Sequence, residues 1–77
     1  MHSLQRSWIR EVRQSQIAIL PDNESYIKGT DVKVWDVVSS LASGLSEDRL
    51  MRRHPALTKA DIRACSLFVY LRTVGQI

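Results

Sequence analysis

Six side chains on two neighbouring segments have the types and spacing needed to bind the phosphates and bases of DNA. A guanidinium or ammonium group neutralises a phosphate, and an arginine can donate two hydrogen bonds to the edge of a guanine. In a helix-turn-helix pair, one helix crosses the DNA backbone and the next enters the major groove. The residues that we expect to contact DNA on two such helices are Arg49, Arg52, Arg53, Thr58, Lys59 and Arg63.

The same residues also have a simpler interpretation, in which they only stabilise their own helices. Arg52 and Arg53 fall in the last turn of a predicted helix, where the helix dipole favours cations. Three packed helices also occur in many proteins that do not bind DNA. These side chains alone therefore leave DNA binding and a solvated helix face equally open.

Catalysis has no matching residue pattern in the chain. We find no glycine-rich phosphate loop and no pair of histidines at metal-binding spacing. Cys65 is the single cysteine and lies in an apolar run, where a small core residue is expected rather than a nucleophile. We therefore expect no enzyme, no cofactor and no metal. One cysteine without a disulfide partner favours a reducing cytoplasm.

Three helices are predicted, of which the second and third carry the basic residues, and each has a start signal, a stop signal or both. Apolar residues three and four apart predict a helix over about 34–43, which ends at Gly44. Ser46 as N-cap predicts a second helix over about 46–54, and Pro55 ends it. Thr58 and Asp61 form a capping box that begins a third helix over about 58–73.

Shorter elements precede these helices. Strand-forming residues predict a β-hairpin over about 16–20 and 26–32, because Pro21 and its polar neighbours favour a turn between them. Residues 1–15 form an N-terminal arm, for which a helix and a strand both fit. The fold class is therefore mainly α: a tri-helical helix-turn-helix core, a small β-hairpin before it and the arm, with 16–77 as a single domain.

The arm and the hairpin are the predicted contacts to other protein chains. A two-stranded hairpin alone is marginal in water, so it must pack on the helices or pair with a second copy, which favours a homodimer. The candidate partner or dimer contacts are Trp8, Ile17, Ile19, Tyr26 and Ile27. On a helical arm, Arg6, Arg10 and Arg13 share one face, which is either solvated or contacts phosphates or an acidic partner.

Size and charge set broad limits. A chain of 77 residues has a thin core that a dimer partner would reinforce. A net charge of +3 and a pI near 9.5 permit nucleic-acid binding without requiring it. No run approaches the ~20 apolar residues of a membrane-spanning helix, so we expect no membrane association.

Residues 17–72 resemble the domain of unknown function 433 family of small prokaryotic proteins. Four segments in matching order and spacing carry the resemblance: Tyr26-Ile-Lys-Gly-Thr30, Val32-Lys-Val-Trp-Asp-Val-Val38, Leu41-Ala-Ser-Gly-Leu-Ser46 and His54-Pro-Ala-Leu-Thr-Lys-Ala-Asp-Ile62. Asp31 departs from the family pattern, which has an arginine after the glycine-threonine pair.

This resemblance implies a function as well as a fold. Members of the family look like antitoxins of type II toxin-antitoxin pairs, next to a PIN-like nuclease toxin. The resemblance therefore implies a protein that neutralises a nuclease toxin and represses its own operon by binding double-stranded DNA. The alternative is a protein-protein interaction module with the same fold that no longer binds DNA, which Asp31 and the modest charge favour.

Overall fold

Four helices and one short β-hairpin make up residues 3–77, the part of the chain that the computed structural model describes. Met1 and His2, the first two residues of the predicted arm, lie outside it. The elements are α1 (Ser3–Arg13), β1 (Ile17–Ala18), β2 (Tyr26–Ile27), α2 (Val34–Ala42), α3 (Glu47–Arg53) and α4 (Lys59–Thr73). The mainly helical fold with a small hairpin is as predicted, and the arm is a helix.

The predicted capping residues begin α3 and α4, whereas Lys33 before α2 makes no side-chain cap. The Ser46 hydroxyl accepts a hydrogen bond from the Arg49 N–H at 3.2 Å, so it is the N-cap of α3. At α4, the Asp61 N–H donates to the Thr58 hydroxyl at 3.1 Å, and the Thr58 N–H donates to the Asp61 carboxylate at 3.0 Å. Both halves of the predicted capping box are therefore present.

Gly44 ends α2 in the way that the sequence indicates. Its φ of +99° lies in the left-handed region, which favours glycine. The Leu45 N–H reaches back to the Ser40 carbonyl and the Gly44 N–H to the Leu41 carbonyl, both at 3.0 Å. These two bonds form a Schellman motif, which satisfies carbonyls at the end of the helix and turns the chain towards α3.

The hairpin is much shorter than predicted. Ile17 pairs with Ile27 and Ala18 with Tyr26, and the predicted strands over 16–20 and 26–32 do not extend beyond these pairs, apart from one bridge between Tyr26 and Lys33. The first strand ends because the buried Ser25 hydroxyl bonds both the N–H and the carbonyl of Leu20.

The second strand ends in a tight turn. The Ile27 N–H bonds the Val32 carbonyl at 2.9 Å, and the Thr30 N–H bonds the Ile27 carbonyl at 3.1 Å. Gly29 adopts a φ of +81° inside this turn. The four residues after Ile27 therefore reverse the chain direction and cannot extend the ladder.

Helix α4 is the centre of the core, and α1 and α2 both pack along it. Phe68, Cys65 and Leu71 of α4 are fully buried, together with Val37 of α2 and Val12 of α1. Near the C-terminal end of α4, the Arg72 side chain lies over the Phe68 ring. It also donates hydrogen bonds to the carbonyls of Leu20 and Asp22, in the loop between β1 and β2. The loop is thereby attached to the C-terminal end of α4.

Helix α1 runs antiparallel to α4. The Gln5 amide donates to the Tyr70 hydroxyl near the end of α4, and the Trp8 ring meets the Tyr70 ring edge-on at 5.7 Å. Glu11, one turn further along α1, pairs with Arg63 near the start of α4. Since Val12 is fully buried, α1 contributes to the same core as α4.

We expect Thr58→Ala to lower the free energy of unfolding by about 0.5–2 kcal/mol, because the variant loses the N-cap of the helix on which the others pack. Urea denaturation followed by circular dichroism measures this. Thr73→Ala makes the same change at an exposed position of α4, where the hydroxyl bonds only the Val69 carbonyl. A loss no larger than that of Thr73→Ala would contradict the importance of the cap.

Candidate nucleic-acid interface

The first turns of α4 present the predicted recognition residues to solvent. Thr58, Lys59, Ala60 and Arg63 are all exposed, while Ile62 on the opposite side is buried. The Thr58 hydroxyl oxygen is used in the capping box, so only its proton is available to a ligand. Lys59 is the exposed cation at the start of the helix, and Arg63 lies one turn beyond it.

Arg63 is held by a carboxylate that the sequence did not indicate. Its Nε donates to Glu11 Oε2 at 2.6 Å and its Nη2 to Glu11 Oε1 at 3.3 Å, which is a two-point contact. This hydrogen-bonded pair lowers the pKa of Glu11 and raises that of Arg63. No local signal could identify Glu11, because the two residues lie 52 positions apart. The Nη1 group of Arg63 is left for another partner.

The arginines of α3 are also exposed, and two of them line a cleft. Arg49 and Arg53 border an open cleft of about 580 Å³ between α2 and α3, opposite Asp36, Ser39 and Ser43. Arg52 is exposed but does not line this cleft. The cleft combines two cations and hydroxyl groups, which are suitable donors for phosphate oxygens, with the Asp36 carboxylate, which repels them.

A second cleft, of about 470 Å³, lies at the start of α4. It is formed by three segments that are distant in sequence: the end of α1, the turn after β2 and the loop before α4. Gln14, Gln16, Lys28 and Thr30 bring polar groups to it from outside the predicted helix-turn-helix pair. These residues were not among the predicted contacts, because only the folded chain places them beside Thr58.

Positive charge is concentrated on the antiparallel pair of α1 and α4. These two helices carry six of the basic residues and two of the acidic ones, whereas the remaining chain carries five basic and six acidic residues. Both acids of the pair are engaged, Glu11 with Arg63 and Asp61 in the capping box. The net charge of +3 therefore understates the potential at this surface.

Two of the predicted partner contacts are core residues instead. Ile17 and Ile27 are 4% and 1% exposed, because their cross-strand pair turns into the molecule against the helices. Trp8 is half-buried against Tyr70. Ile19 and Tyr26 are exposed and remain available to a partner, and the neighbouring Leu20, which was not predicted, is exposed as well.

Cys65 has no feature of a reactive thiol. Its side chain is fully buried. This burial, and to a smaller extent the negative charge of the nearby Asp61 carboxylate, raises the pKa of the thiol to about 12. Among residues 3–77, no three His, Cys, Asp or Glu side chains are grouped as a metal site would require. Over the same range, no helix has the length and apolar character needed to cross a membrane.

These observations define a small, mainly helical protein with a helix-turn-helix pair and a short hairpin. The family model described as "Protein of unknown function (DUF433)" matches residues 24–69, so the chain belongs to that family. The match extends from the loop before β2 into α4, and α1 lies outside it. Searches of the curated proteins and of the solved structures found no match.

The buried thiol predicts a specific dependence of stability on pH. The unfolded chain ionises Cys65 near its ordinary pKa of 9.0, whereas the folded chain keeps it neutral until about pH 12. The neutral thiol therefore makes its full contribution to the free energy of unfolding below pH 9. Between pH 9 and about pH 12 this contribution falls by about 1.4 kcal/mol for each pH unit. Urea denaturation at several alkaline pH values measures this loss. Cys65→Ala, which cannot ionise, should lose less stability over that range, and equal losses would contradict the prediction.

Proposed function

We propose that this chain binds double-stranded DNA through the start of α4 and the arginines of α3. The observation that supports this most directly is the basic, solvent-exposed first turn of α4, with Lys59 and Arg63 on one side and the core on the other. This is the part of a recognition helix that contacts base edges in a helix-turn-helix protein. Arg49, Arg52 and Arg53 on the preceding helix then neutralise phosphates.

The ion pair with Glu11 defines how Arg63 meets a base. Because Glu11 occupies Nε and one proton of Nη2, the donors left for DNA are those of Nη1 and the second proton of Nη2. These donors point along the end of the guanidinium group and can address the two acceptors of a guanine. Arg63 thus supplies specificity, while Lys59 and the α3 arginines supply affinity that depends on salt.

We further propose that the protein is the antitoxin of a type II toxin-antitoxin pair and represses its own operon. The family resemblance implies a PIN-like nuclease as its partner. Ile19, Leu20 and Tyr26 support a protein contact, because they are exposed apolar residues beside the hairpin, and Ala18 pairs with Tyr26 at its edge. Tyr26 is bridged on its other side by Lys33, so the contact would be made by these exposed side chains rather than by an added strand. The partner is the toxin or a second copy in a homodimer.

A second candidate function is a protein-interaction module without DNA contact. The Glu11–Arg63 pair favours it, since a carboxylate beside the recognition helix repels phosphates and occupies half of the guanidinium donors. On this alternative the exposed hairpin residues remain a protein contact, and duplex DNA is not bound even at low salt.

We expect the protein to bind the duplex immediately upstream of its own coding sequence, with an affinity that falls steeply as salt rises. Arg63→Gln should lower the affinity for that duplex by about 1–3 kcal/mol and weaken the preference for it over unrelated DNA. Lys59→Gln should weaken binding to the upstream duplex and to an unrelated duplex alike, because a phosphate contact carries no sequence information. Fluorescence anisotropy with the two labelled duplexes measures both effects.

The control for these variants changes charge at the other end of α4. Asn23→Asp lowers the net charge by one, as each test variant does, at an exposed position of the loop attached to Arg72. If Asn23→Asp weakened binding as much as Arg63→Gln, only the overall charge would matter and the recognition helix would be assigned wrongly. Absence of any binding by the wild-type protein at low salt would support the interaction module.

We expect a stable complex with the PIN-like nuclease encoded beside its gene, and loss of that nuclease's activity in the complex. Tyr26→Ser should weaken the complex, because the exposed ring belongs to the surface that we propose contacts the toxin. Co-purification followed by mass measurement and an RNA-cleavage assay tests this. Val74→Ser removes an exposed apolar side chain beyond the end of α4 and is the matched control. A fully active nuclease in the presence of excess protein would refute the antitoxin proposal.

A further inference from the structure

Within the part of the chain that the structure describes, three arginines on α1 form no contact with an acid, although Arg10 and Arg13 lie in the last turn, where the helix dipole favours cations. Arg6, Arg10 and Arg13 are exposed, and none of them takes part in an ion pair or side-chain hydrogen bond within residues 3–77. Glu11, the one acid on the helix, is bound to Arg63 instead. At 100° per residue, the three arginines fall within about 60° of one another around the helix. They form a continuous row, which we call the arginine face of α1.

The C-terminal end of α1 lies next to the proposed recognition turn, and Arg10 is one turn before Gln14 at that end. Because α1 is antiparallel to α4, its C-terminal end with Arg10 and Arg13 lies beside the N-terminal end of α4. Gln14 and Gln16, just beyond Arg13, line the same cleft as Thr58 and Ala60. A duplex docked on the start of α4 is therefore flanked by the end of α1.

The composition of the arginine face favours phosphate over a protein partner. The neighbours of the arginines on this side are Ser7 and Gln14, which are polar and exposed, while Ile9 is half-buried against the core. Protein interfaces need buried apolar or aromatic anchors at their centre, and this face offers none. Phosphate contacts need only charge and hydrogen-bond donors, which arginine supplies.

The dimensions of the row also suit a DNA strand. Arg6 and Arg13 are seven residues apart, which corresponds to about 10 Å along a helix axis. Successive phosphates of one DNA strand are about 7 Å apart through space, because the strand winds around the duplex axis as it rises about 3.4 Å per nucleotide. The row therefore covers about two successive phosphates.

We propose that the arginine face of α1 contacts the phosphate backbone of the duplex whose major groove receives α4. The inference rests on the proposed DNA binding and adds a second row of contacts to it. It extends the interface beyond residues 24–69, the part of the chain that the family model matches. Helix α1 thus has two functions, since its inner side completes the core and its outer side binds DNA.

The test compares variants that differ in charge position but share the same net charge. Arg10→Gln/Arg13→Gln removes two cations from the arginine face, and Asn23→Asp/Gln76→Glu lowers the net charge equally at exposed positions elsewhere. Arg10→Lys/Arg13→Lys keeps the charge at the original positions. Each protein is titrated with the labelled upstream duplex at several salt concentrations, after circular dichroism has shown the same helix content and thermal midpoint.

We expect the glutamine pair to weaken binding by about ten- to a hundredfold in moderate salt. The slope of log K against log salt should fall by about 0.9 for each lost phosphate contact, which is nearly 2 for the pair. The lysine pair should retain most of the slope, and the charge-matched control should keep the wild-type slope.

Three results would each overturn the inference. If the glutamine pair bound like the charge-matched control, α1 would not touch DNA, although the proposed function would survive as long as the wild type bound the duplex. If the wild type bound a single-stranded RNA or polyglutamate more tightly than the duplex, and the glutamine pair abolished that binding, the arginine face would serve another polyanion. If the wild type did not bind the duplex at all, the proposed function would fail first and the inference with it.

Discussion

The capping box at the start of α4 is the interaction on which the rest of the structure depends. Thr58 and Asp61 define the first residue of the only helix that packs against both α1 and α2 within residues 3–77. Because side chains on a helix advance by 100° per residue, the apolar residues of α4 face the core while Lys59 and Arg63 face solvent. The cap therefore stabilises the one helix that contributes both to the core and to the proposed DNA-binding surface.

Local signals in the sequence were sufficient for α2, α3 and α4, because caps and apolar spacing act within a few residues. The length of the hairpin strands was overestimated because their ends depend on side-chain hydrogen bonds that compete with the strand pairing. The hydrogen bonds of the Ser25 hydroxyl with Leu20 are an example. The burial of Ile17 and Ile27 could not be distinguished from exposure, since an alternating pattern does not say which face is covered.

The candidate site also contains both residues that the sequence predicts and contacts that only the folded structure shows. Lys59 and the α3 arginines follow from their positions on predicted helices, and all of them are exposed. The contact of Glu11 with Arg63 joins α1 to α4 across 52 positions and could only come from the packed structure. The cleft beside Thr58 likewise combines three separate segments. Total charge was a poor guide because the acids cluster outside α1 and α4, so the two helices are far more basic than the whole chain.

The position of the toxin contact along α4 decides whether the two proposed partners could be bound at the same time. The basic residues lie at its N-terminal end, whereas Arg72 attaches the loop that contains Leu20 and Asp22 near its C-terminal end. A helix of 15 residues is about 22 Å long, so a toxin held at Leu20 would lie far from a duplex at the start of α4. Tyr26, in contrast, adjoins Ile27, which lines the cleft beside Thr58, so a toxin that also covers Tyr26 would come close to the duplex. Toxin binding would therefore be compatible with repression only if the toxin contact is centred on Leu20, and a homodimer would place two recognition helices on one operator.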